Sequence, residues 1–315
     1  MPQQVPLIVI VGPTAVGKTS LALRLAGPFS GEIVSADSRQ IYRGMDIGTG
    51  KPTPADLSRV PHHLIDIIEP DDEFTLADYQ ALADAAIQDI ACRERVPFLV
   101  GGTGQYVRAI IEGWQIPRVP PDPILRSRLY AEAEESGPQA LYDRLLARDP
   151  AAAAFIDPRN VRRVIRALEV CVKTGRPFSE QRGKRPPPYE ILQIGLTMER
   201  EALYERIDRR IDEMIARGLV VEVQGLVARG YGWELPAMSS LGYLQFREHL
   251  AGAMPLEDAV ALVKKETRRF VRQQYNWFRQ ADPRIHWLDA SEPPYPAACT
   301  LIRDSVMRGT GPCAA

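Results

Sequence analysis

Residues 7–26 read LIVIVGPTAVGKTSLALRLA, an apolar run that leads directly into a glycine-rich segment and then into a helical stretch. The spacing G-x-x-x-x-G-K-T between a predicted strand and a predicted helix is typical of a phosphate-binding loop. Glycines let backbone N–H groups surround phosphate oxygens, Lys18 adds a positive charge, and the Thr19 hydroxyl is a candidate Mg²⁺ ligand. The residues predicted to bind phosphate are Gly12, Pro13, Thr14, Ala15, Val16, Gly17, Lys18 and Thr19.

A second motif follows the next predicted strand. Residues 33–42 read IVSADSRQIY, so a buried strand ends in a polar cluster that contains Asp37. Ligands of open parallel sheets bind beyond the carboxyl ends of the strands, and we therefore expect Asp37 to face the same crevice as the phosphate loop. A carboxylate at that position can accept a proton from an incoming amine. An Asp that is directed at Mg²⁺ or caps a helix is the alternative.

Predicted strands alternate with helical segments along the first part of the chain. The predicted strands are Leu7–Val11, Glu32–Ala36, Leu64–Ile68 and Phe98–Val100, and Thr75–Arg93 is a predicted helix. Such alternation predicts an α/β fold, here a P-loop NTPase-like, mainly parallel sheet flanked by helices. Two more strands, at 189–196 and 285–288, are expected to return to this sheet.

Two proline-rich segments, at 116–123 and 186–188, bound a block that is helical in character. The block carries 14 Lys and Arg against nine Asp and Glu, although the whole chain has a net charge of −1. We therefore predict an inserted all-helical, basic domain. The predicted boundaries are 1–117 for the first part of the core, 118–188 for the insertion, 189–290 for the second part of the core, and 291–315 for a loosely ordered tail.

The bulk composition is that of an ordinary globular protein, with 45% hydrophobic and 25% charged residues. No segment reaches the roughly 18 apolar residues that a bilayer span requires, and the amino terminus lacks a signal-peptide pattern. The four cysteines are scattered without a C-x-x-C pair, which indicates neither a disulfide framework nor a zinc site. We expect a cytoplasmic protein without a membrane partner, and a monomer, because no feature suggests an obligate dimer.

Four motifs resemble, in order, those of the tRNA dimethylallyltransferase family, also called tRNA isopentenyltransferases. They are GPTAVGKT at 12–19, SADSRQIYRGMDIGTGKPT at 35–53, HHLID at 62–66 and GGTG at 101–104, and a weaker resemblance continues to about Trp277. The resemblance implies transfer of the dimethylallyl group of dimethylallyl diphosphate to N6 of the adenosine adjacent (3′) to the anticodon. The implied substrates are tRNAs that read codons beginning with U, recognised through the anticodon stem-loop, and the implied cofactor is Mg²⁺.

The resemblance also implies roles for individual residues. Asp37 matches the residue that contacts N6 and takes its proton, and Thr103 matches a contact of the target nucleotide or the leaving diphosphate. Lys18, Arg206 and Arg210 match groups that stabilise the leaving group. The two arginines stand four apart in a predicted helix and therefore share one face. A solvated face, paired with nearby Asp and Glu, is the alternative interpretation of that helix.

Contacts to tRNA are implied for the polar cluster after the second strand and for the insertion. The helix that follows Asp157 carries Arg159, Arg162, Arg163 and Arg166 on one broad face with few acidic neighbours, a pattern that suits a phosphate backbone. A solvated face is again the alternative. The implied tRNA-binding residues are Asp37, Ser38, Arg39, Gln40, Thr103, Arg126, Arg162, Arg163, Val164, Ile165 and Arg166.

Basic and aromatic residues also interleave at 264–279, where we expect the aromatics to form core and some basic groups to face RNA. Departures from the family pattern occur at Gln105, at Gln245, and in the run Arg272-Gln273-Gln274 with Asn276, away from the phosphate loop and Asp37.

Three other functions share the phosphate loop. They are a small-molecule kinase, an isopentenyltransferase that acts on free adenine nucleotides, and a non-catalytic RNA-binding ATP switch. The first two leave the basic insertion without a purpose.

Overall fold

A computed structural model describes residues 5–309 of the chain. They form two units, which we call the core unit (5–111 and 188–309) and the insertion unit (Glu112–Pro187). The insertion unit begins before the predicted position, 118, because a short strand at Trp114–Gln115 pairs with Gly183–Lys184 near the other end of the same unit. The predicted all-helical insertion therefore also contains one small antiparallel strand pair.

The core unit contains one six-stranded parallel sheet. The strands of the two units are β1 Val5–Val11, β2 Gly31–Ser35, β3 His62–His63, β4 Val96–Val100, β5 Trp114–Gln115, β6 Gly183–Lys184, β7 Tyr189–Thr197 and β8 Ile285–Asp289. The order across the sheet is β3-β2-β4-β1-β7-β8, so β1 lies between β4 and β7 at its centre. The predicted α/β fold with a mainly parallel sheet is confirmed.

Helices cover both faces of this sheet and form most of the insertion unit. They are α1 Lys18–Ala26, α2 Pro54–Arg59, α3 Leu76–Cys92, α4 Gly104–Ile111, α5 Pro123–Leu146, α6 Val161–Thr174, α7 Phe178–Gln181, α8 Arg200–Ala216, α9 Leu219–Ala228, α10 Arg247–Leu250, α11 Leu256–Trp277 and α12 Tyr295–Gly309. Short 3₁₀ turns occupy Pro150–Ala154 and Leu244–Phe246. Within residues 5–309, no helix has the length and apolar character that crossing a membrane requires.

The central strand β1 shows why an unbroken apolar run folds as a strand here. The side chains of Ile8 and Ile10 belong to one hydrophobic cluster, with residues of α1 and α8, whereas Leu7 and Val9 belong to a second cluster, with residues of α3 and α4. Successive side chains of a strand point to opposite faces, and helices cover both faces. The loop that follows β1 is therefore anchored in the middle of the sheet.

The insertion unit has a hydrophobic core of its own. Leu129, Leu141 and Leu145 of α5 pack with Val164 and Leu168 of α6, and all five side chains are buried. Helix α5 is interrupted at Gly137 (φ 85°, ψ 156°), directly before Pro138, whose ring cannot continue a straight helix. This interruption lets both halves of α5 contribute to the same core.

The predicted strand at Leu64–Ile68 is wrong. Strand β3 ends at His63, and beyond it Ile68 forms only an isolated bridge with Tyr42. Leu64 (φ 63°) and Asp66 (φ 55°) have left-handed backbone conformations that a strand cannot contain. Leu64 is nevertheless buried, and Ile67 and Ile68 pack against the core, which explains the apolar signal in this stretch.

The predicted loosely ordered tail, 291–315, also differs from the structure. Tyr295–Gly309 form α12, and Ala298, Cys299 and Ile302 of this helix are buried in the cluster that covers one face of the sheet. The spacing of these three residues places them on one helical face, which secures the segment by burial. Residues 310–315 of the predicted tail lie outside the described residues.

Candidate active site

The loop between β1 and α1 has a backbone that requires glycine. Gly12 (φ 143°) and Gly17 (φ 106°) have positive φ angles, and a Cβ atom on Gly12 would lie 2.5 Å from the carbonyl oxygen of Leu196. Gly17 is the N-cap of α1. The first N–H groups of a helix have no intrahelical partner and, with the helix dipole, favour an anion. The start of α1 is therefore a candidate phosphate site.

Lys18 stands at the first position of α1 and folds back over the loop. Its Nζ donates hydrogen bonds to the carbonyl oxygens of Gly12 (3.0 Å) and Pro13 (2.7 Å). Burial lowers the pKa of Lys18 to about 8, the nearby Asp37 carboxylate opposes this shift, and Arg210 adds to it. A bound phosphate would supply the negative charge that the ammonium needs at this position.

The ends of β2 and β4 bring Asp37 and Thr103 to the same edge of the sheet. The Thr103 hydroxyl accepts a hydrogen bond from the Ser38 N–H (3.0 Å) and lies 3.3 Å from the Ser38 hydroxyl. An Asp37 carboxylate oxygen accepts from the Arg39 N–H (2.9 Å), which orients the side chain within its own turn. A Cβ atom on Gly101 would collide with the Ala36 carbonyl, so glycine permits this close approach.

Arg206 and Arg210 approach this edge from α8. A Cβ atom on Gly17 would lie 3.4 Å from an Arg206 guanidinium nitrogen, and one on Gly50 would collide with the Arg210 guanidinium. Burial lowers the pKa of Arg210, the Asp37 charge raises it, and the Arg206 charge lowers it further. Arg206 therefore lies close to the phosphate loop, and Arg210 lines the same cavity as Lys18 and Asp37.

Two acidic residues of α8 are paired with another helix. Asp208 pairs with Arg268 of α11, and Asp212 pairs with Lys264 of the same helix, at 2.7 Å. None of the ion pairs described for residues 5–309 joins Arg206 or Arg210 to a carboxylate. This arrangement weakens the alternative interpretation of α8 as a self-neutralised charged face.

A cavity of about 460 Å³ connects these groups. Its polar lining includes Thr14, Lys18, Asp37, Ser38, Arg39, Thr103 and Arg210. Its apolar lining includes Ile207, Ile211, Met214, Leu219, Val263, Phe270 and Trp277. A cavity with both kinds of wall can hold a ligand that combines an anionic group with a short hydrocarbon group.

The aromatic residues of α11 and its end do not behave uniformly. Phe278 is buried, as expected for core, whereas Phe270 and Trp277 also line the cavity. Arg272 and Arg279 are exposed, and Lys264 and Arg268 are engaged by α8. The interleaved pattern at 264–279 thus serves the core and the cavity wall as well as the surface.

The polar cluster after β2 is partly held by the protein itself. Arg39 donates to the Pro236 carbonyl (2.5 Å), and Gln40 accepts from the Ser35 hydroxyl (3.0 Å) and lies 3.3 Å from the Gly50 carbonyl. Ser38 and Arg39 line the cavity, and Gln40 braces the segment beside it. Their implied contacts to tRNA stay predictions.

The predicted Mg²⁺ ligand, Thr19, is the second residue of α1 and is partly exposed. Among the described residues, no group of three or more His, Cys, Asp or Glu side chains could hold a metal ion. Mg²⁺ commonly retains several waters and takes one or two protein oxygens together with substrate phosphate oxygens. A single hydroxyl at the start of the helix suits an ion that arrives with the phosphate.

The implied tRNA contacts of the insertion unit fall into three groups. Arg162 and Arg163 are exposed on α6. Arg126 and Arg166 both hydrogen-bond the carboxylate of the buried Glu169, at 2.8 Å and 2.5 Å. The implied tRNA contacts of the remaining pair, Val164 and Ile165, require a correction.

The side chains of Val164 and Ile165 are buried in the core of the insertion unit, so they pack against protein rather than RNA. The expectation of few acidic neighbours is also wrong, because Arg159 pairs with Asp157 at 2.6 Å and Arg166 with Glu169.

Two further residues of the site were missed by the sequence analysis. The Glu222 carboxylate of α9 accepts hydrogen bonds from the N–H groups of Asp46 (2.9 Å), Ile47 (2.8 Å) and Gly48 (3.1 Å). It thereby holds a loop that contributes Gly48 to the cavity wall. Gln274, noted in the sequence only within a departing run, is buried beside the phosphate loop. No local pattern marks either residue.

The chain is similar to known proteins over most of its length. The family model described as IPP transferase matches residues 40–281, and the model described as isopentenyl transferase matches residues 5–67. The tRNA dimethylallyltransferase of Roseiflexus sp. (strain RS-1) is 58% identical over 301 residues, which cover 95% of this chain and 98% of that protein. The tRNA dimethylallyltransferase of Dehalococcoides mccartyi is 46% identical over 308 residues, which cover 98% and 95%.

Solved structures extend the similarity to the fold. The full-length tRNA isopentenylpyrophosphate transferase of Bacillus halodurans superposes with a TM-score of 0.72 and 41% identity, over 97% of this chain and 98% of that one. A eukaryotic dimethylallyltransferase acting on tRNA superposes with a TM-score of 0.81 and 27% identity, over 96% of this chain and 80% of that one.

Proposed function

The chain belongs to the IPP transferase family, and from that premise we propose that it is a tRNA dimethylallyltransferase. It transfers the dimethylallyl group of dimethylallyl diphosphate to N6 of the adenosine adjacent (3′) to the anticodon, in tRNAs that read codons beginning with U. The products are N6-isopentenyladenosine and diphosphate. The observation that carries the proposal is the convergence of Asp37, Thr103, Lys18 and Arg210 on one cavity with apolar walls.

The reaction breaks the bond between C1 of the dimethylallyl group and the diphosphate oxygen, and forms a bond between C1 and N6. The electron pair of the broken bond leaves with the diphosphate. Lys18, Arg206 and Arg210 stabilise the negative charge that develops on this leaving group, with the N–H groups at the start of α1. Asp37 orients N6 and accepts its proton, and Thr103, which lies beside Ser38, contacts the target nucleotide or the leaving group.

Mg²⁺ belongs to the proposal as a partner of the diphosphate. Thr19 would hold it through its hydroxyl oxygen, together with diphosphate oxygens and water. When bound, the ion neutralises part of the phosphate charge. The other functions of the loop, closing around the diphosphate and placing Lys18 beside it, depend on protein groups alone.

The insertion unit supplies contacts to the anticodon stem-loop. Arg162 and Arg163 are exposed and can contact phosphate oxygens directly. Arg126 and Arg166 are hydrogen-bonded to the Glu169 carboxylate of the same unit. The target adenosine has to leave its stack to reach a cavity of this kind. We further propose that the protein acts in the cytoplasm as a monomer.

The test incubates purified protein with radiolabelled dimethylallyl diphosphate, Mg²⁺ and undermodified bulk tRNA, beside parallel reactions with AMP or ATP as the acceptor. Label should enter tRNA, and Asp37→Ala should abolish its transfer while the protein stays folded. Label in AMP or ATP would assign the protein to the branch that acts on free nucleotides. Consumption of ATP without prenyl transfer would replace the proposal by a kinase.

A further inference from the structure

Gln274 connects two segments of the site that are far apart in sequence. It lies on α11 with 4% of its surface exposed. Its Oε1 accepts a hydrogen bond from the Thr14 N–H in the phosphate loop (2.8 Å), and its Nε2 donates to the carbonyl oxygen of Gly102 (3.2 Å). One amide therefore joins the loop after β1 to the turn after β4.

The orientation of this amide is determined by its two partners. Thr14 offers a donor and Gly102 an acceptor, so exchanging Oε1 and Nε2 would place donor against donor and acceptor against acceptor. Space is equally restricted, because a Cβ atom on Gly102 would collide with Nε2. Among uncharged side chains, Gln suits this position because it combines an acceptor and a donor at the end of a two-carbon arm.

The two connected segments carry different parts of the proposed reaction. The phosphate loop holds the leaving diphosphate, whereas the turn at Gly101–Gly104 carries Thr103, which hydrogen-bonds the residue next to Asp37. The distance between these two segments therefore sets the distance between C1 of the dimethylallyl group, which is held with the diphosphate, and N6 of the adenosine, which is held beside Asp37. Reacting atoms have to approach to about 3–3.5 Å, and a displacement of about 1 Å can lower a rate about 100-fold.

We infer that Gln274 is a positioning residue that keeps the phosphate loop and the Thr103 turn at the separation that prenyl transfer requires. This inference rests on the proposed function. Gln274 acts through Thr14 and Gly102 and is not itself required to touch the reacting atoms. Its loss should thus lower kcat more than it raises the KM for dimethylallyl diphosphate.

Gln274→Glu separates this role from simple packing. A protonated Glu reproduces the amide, because its C=O accepts from Thr14 and its O–H donates to Gly102, whereas the carboxylate sets a negative oxygen against the Gly102 carbonyl. Position 274 is buried, and burial raises the pKa of a carboxyl group, so Q274E should be protonated to a larger extent at pH 6 than at pH 8.5. The ratio of its kcat to that of wild type should therefore be at least about tenfold higher at pH 6 than at pH 8.5, whereas Q274L should be about 100-fold below wild type at both pH values. Gln224→Glu, an exposed amide-to-carboxylate change on α9, is the matched control and should follow the wild-type profile.

Amide hydrogen exchange of residues 12–16, measured with the same proteins at both pH values, provides a readout that does not depend on catalysis. Relative to wild type at the same pH, exchange should accelerate in Q274L at both pH values. In Q274E, the acceleration relative to wild type should be larger at pH 8.5 than at pH 6. If Q274E shows the wild-type pH profile and wild-type exchange, the inference is overturned. If wild type transfers no prenyl group but exchange responds as described, the proposed function fails while the connection through Gln274 stands.

Discussion

Two arginines of the core unit, Arg206 and Arg210, and two of the insertion unit, Arg126 and Arg166, meet opposite surroundings. Arg206 stands beside Gly17 and Arg210 near Lys18. Burial and the Arg206 charge lower the pKa of Arg210, although the Asp37 charge raises it. In the insertion unit, Arg126 and Arg166 share the carboxylate of Glu169, whose side chain is fully buried. A cationic cluster that the protein leaves short of negative charge is suited to bind an anion, whereas a cluster built around a buried carboxylate is suited to stabilise its own unit.

Among the arginine variants, Arg210→Ala should produce the largest effect on activity. Removing a cation from the leaving-group site should lower kcat/KM for dimethylallyl diphosphate by about 100-fold to 1,000-fold. The urea midpoint should not fall, because burial and Arg206 already disfavour the Arg210 charge in the folded protein. Steady-state prenyl transfer and urea denaturation measure the two quantities. Arg209→Ala, at an exposed neighbouring position, is the control, and equal losses in both variants would contradict the assignment.

Glu169→Gln should show the opposite pattern, because its main effect should be on stability. The Arg126 and Arg166 hydrogen bonds outweigh the burial that raises the pKa of Glu169, so the pKa lies below its ordinary value. Losing this carboxylate should lower the free energy of unfolding by about 2 kcal/mol, less than for a fully buried pair because both arginines are partly exposed.

Urea denaturation, followed by amide exchange in α5 and α6, checks the Glu169 prediction, and Glu134→Gln, at an exposed site on α5, is the control. A depressed carboxylate pKa contributes stability above the unfolded pKa and loses it as pH falls through the folded value. The difference between wild type and E169Q should therefore shrink below about pH 4. A constant difference down to pH 2 would indicate that the carboxylate charge is not what stabilises the unit.

The pKa of Lys18 gives a smaller, pH-dependent effect in the core unit. Because this pKa is about 8 in the free protein, Lys18 is charged below pH 8 and has to take up a proton on binding diphosphate above it. The Kd for dimethylallyl diphosphate, measured without tRNA, should rise by up to about tenfold per pH unit above pH 8. Lys18→Arg keeps its charge over this range, so the ratio of the two Kd values cancels the ionisation of the ligand. A ratio that does not change between pH 7 and 9.5 would refute the prediction.

The exposed arginines of the insertion unit should show the smallest single effects. Arg162→Ala and Arg163→Ala should each weaken tRNA binding by a few-fold, and each should reduce the slope of log K against log salt by about 0.7 to 0.9. Dimethylallyl diphosphate binding should not change. Filter binding at several salt concentrations measures the slope, with Arg128→Ala on α5 as a comparison in the same unit. An unchanged slope in the double variant would assign these arginines to the solvated face.

Much of the architecture was predictable because it is encoded in short segments. The apolar run of β1, the glycines of the phosphate loop and the strand end before Asp37 each depend on neighbours within a few residues. The proline-rich boundaries and the local excess of Lys and Arg likewise marked the insertion. Such local patterns determined the fold class, the phosphate loop and the candidate base.

Tertiary structure alone decided what depends on distant residues. Gln274 meets Thr14 across 260 positions, and Glu222 meets Gly48 across 174, separations at which no periodicity or spacing rule operates. The burial of Val164 follows from which face of α6 packs into the insertion core. The formation of α12 in the predicted tail follows from the burial of its side chains in the cluster that covers one face of the sheet. Sequence determined which chemical groups the chain carries and where the strands before the phosphate loop and Asp37 end, because those features are local. Packing decided which of the charged and polar groups are held by the protein and which stand open to a ligand, because partners and burial exist only in the folded chain.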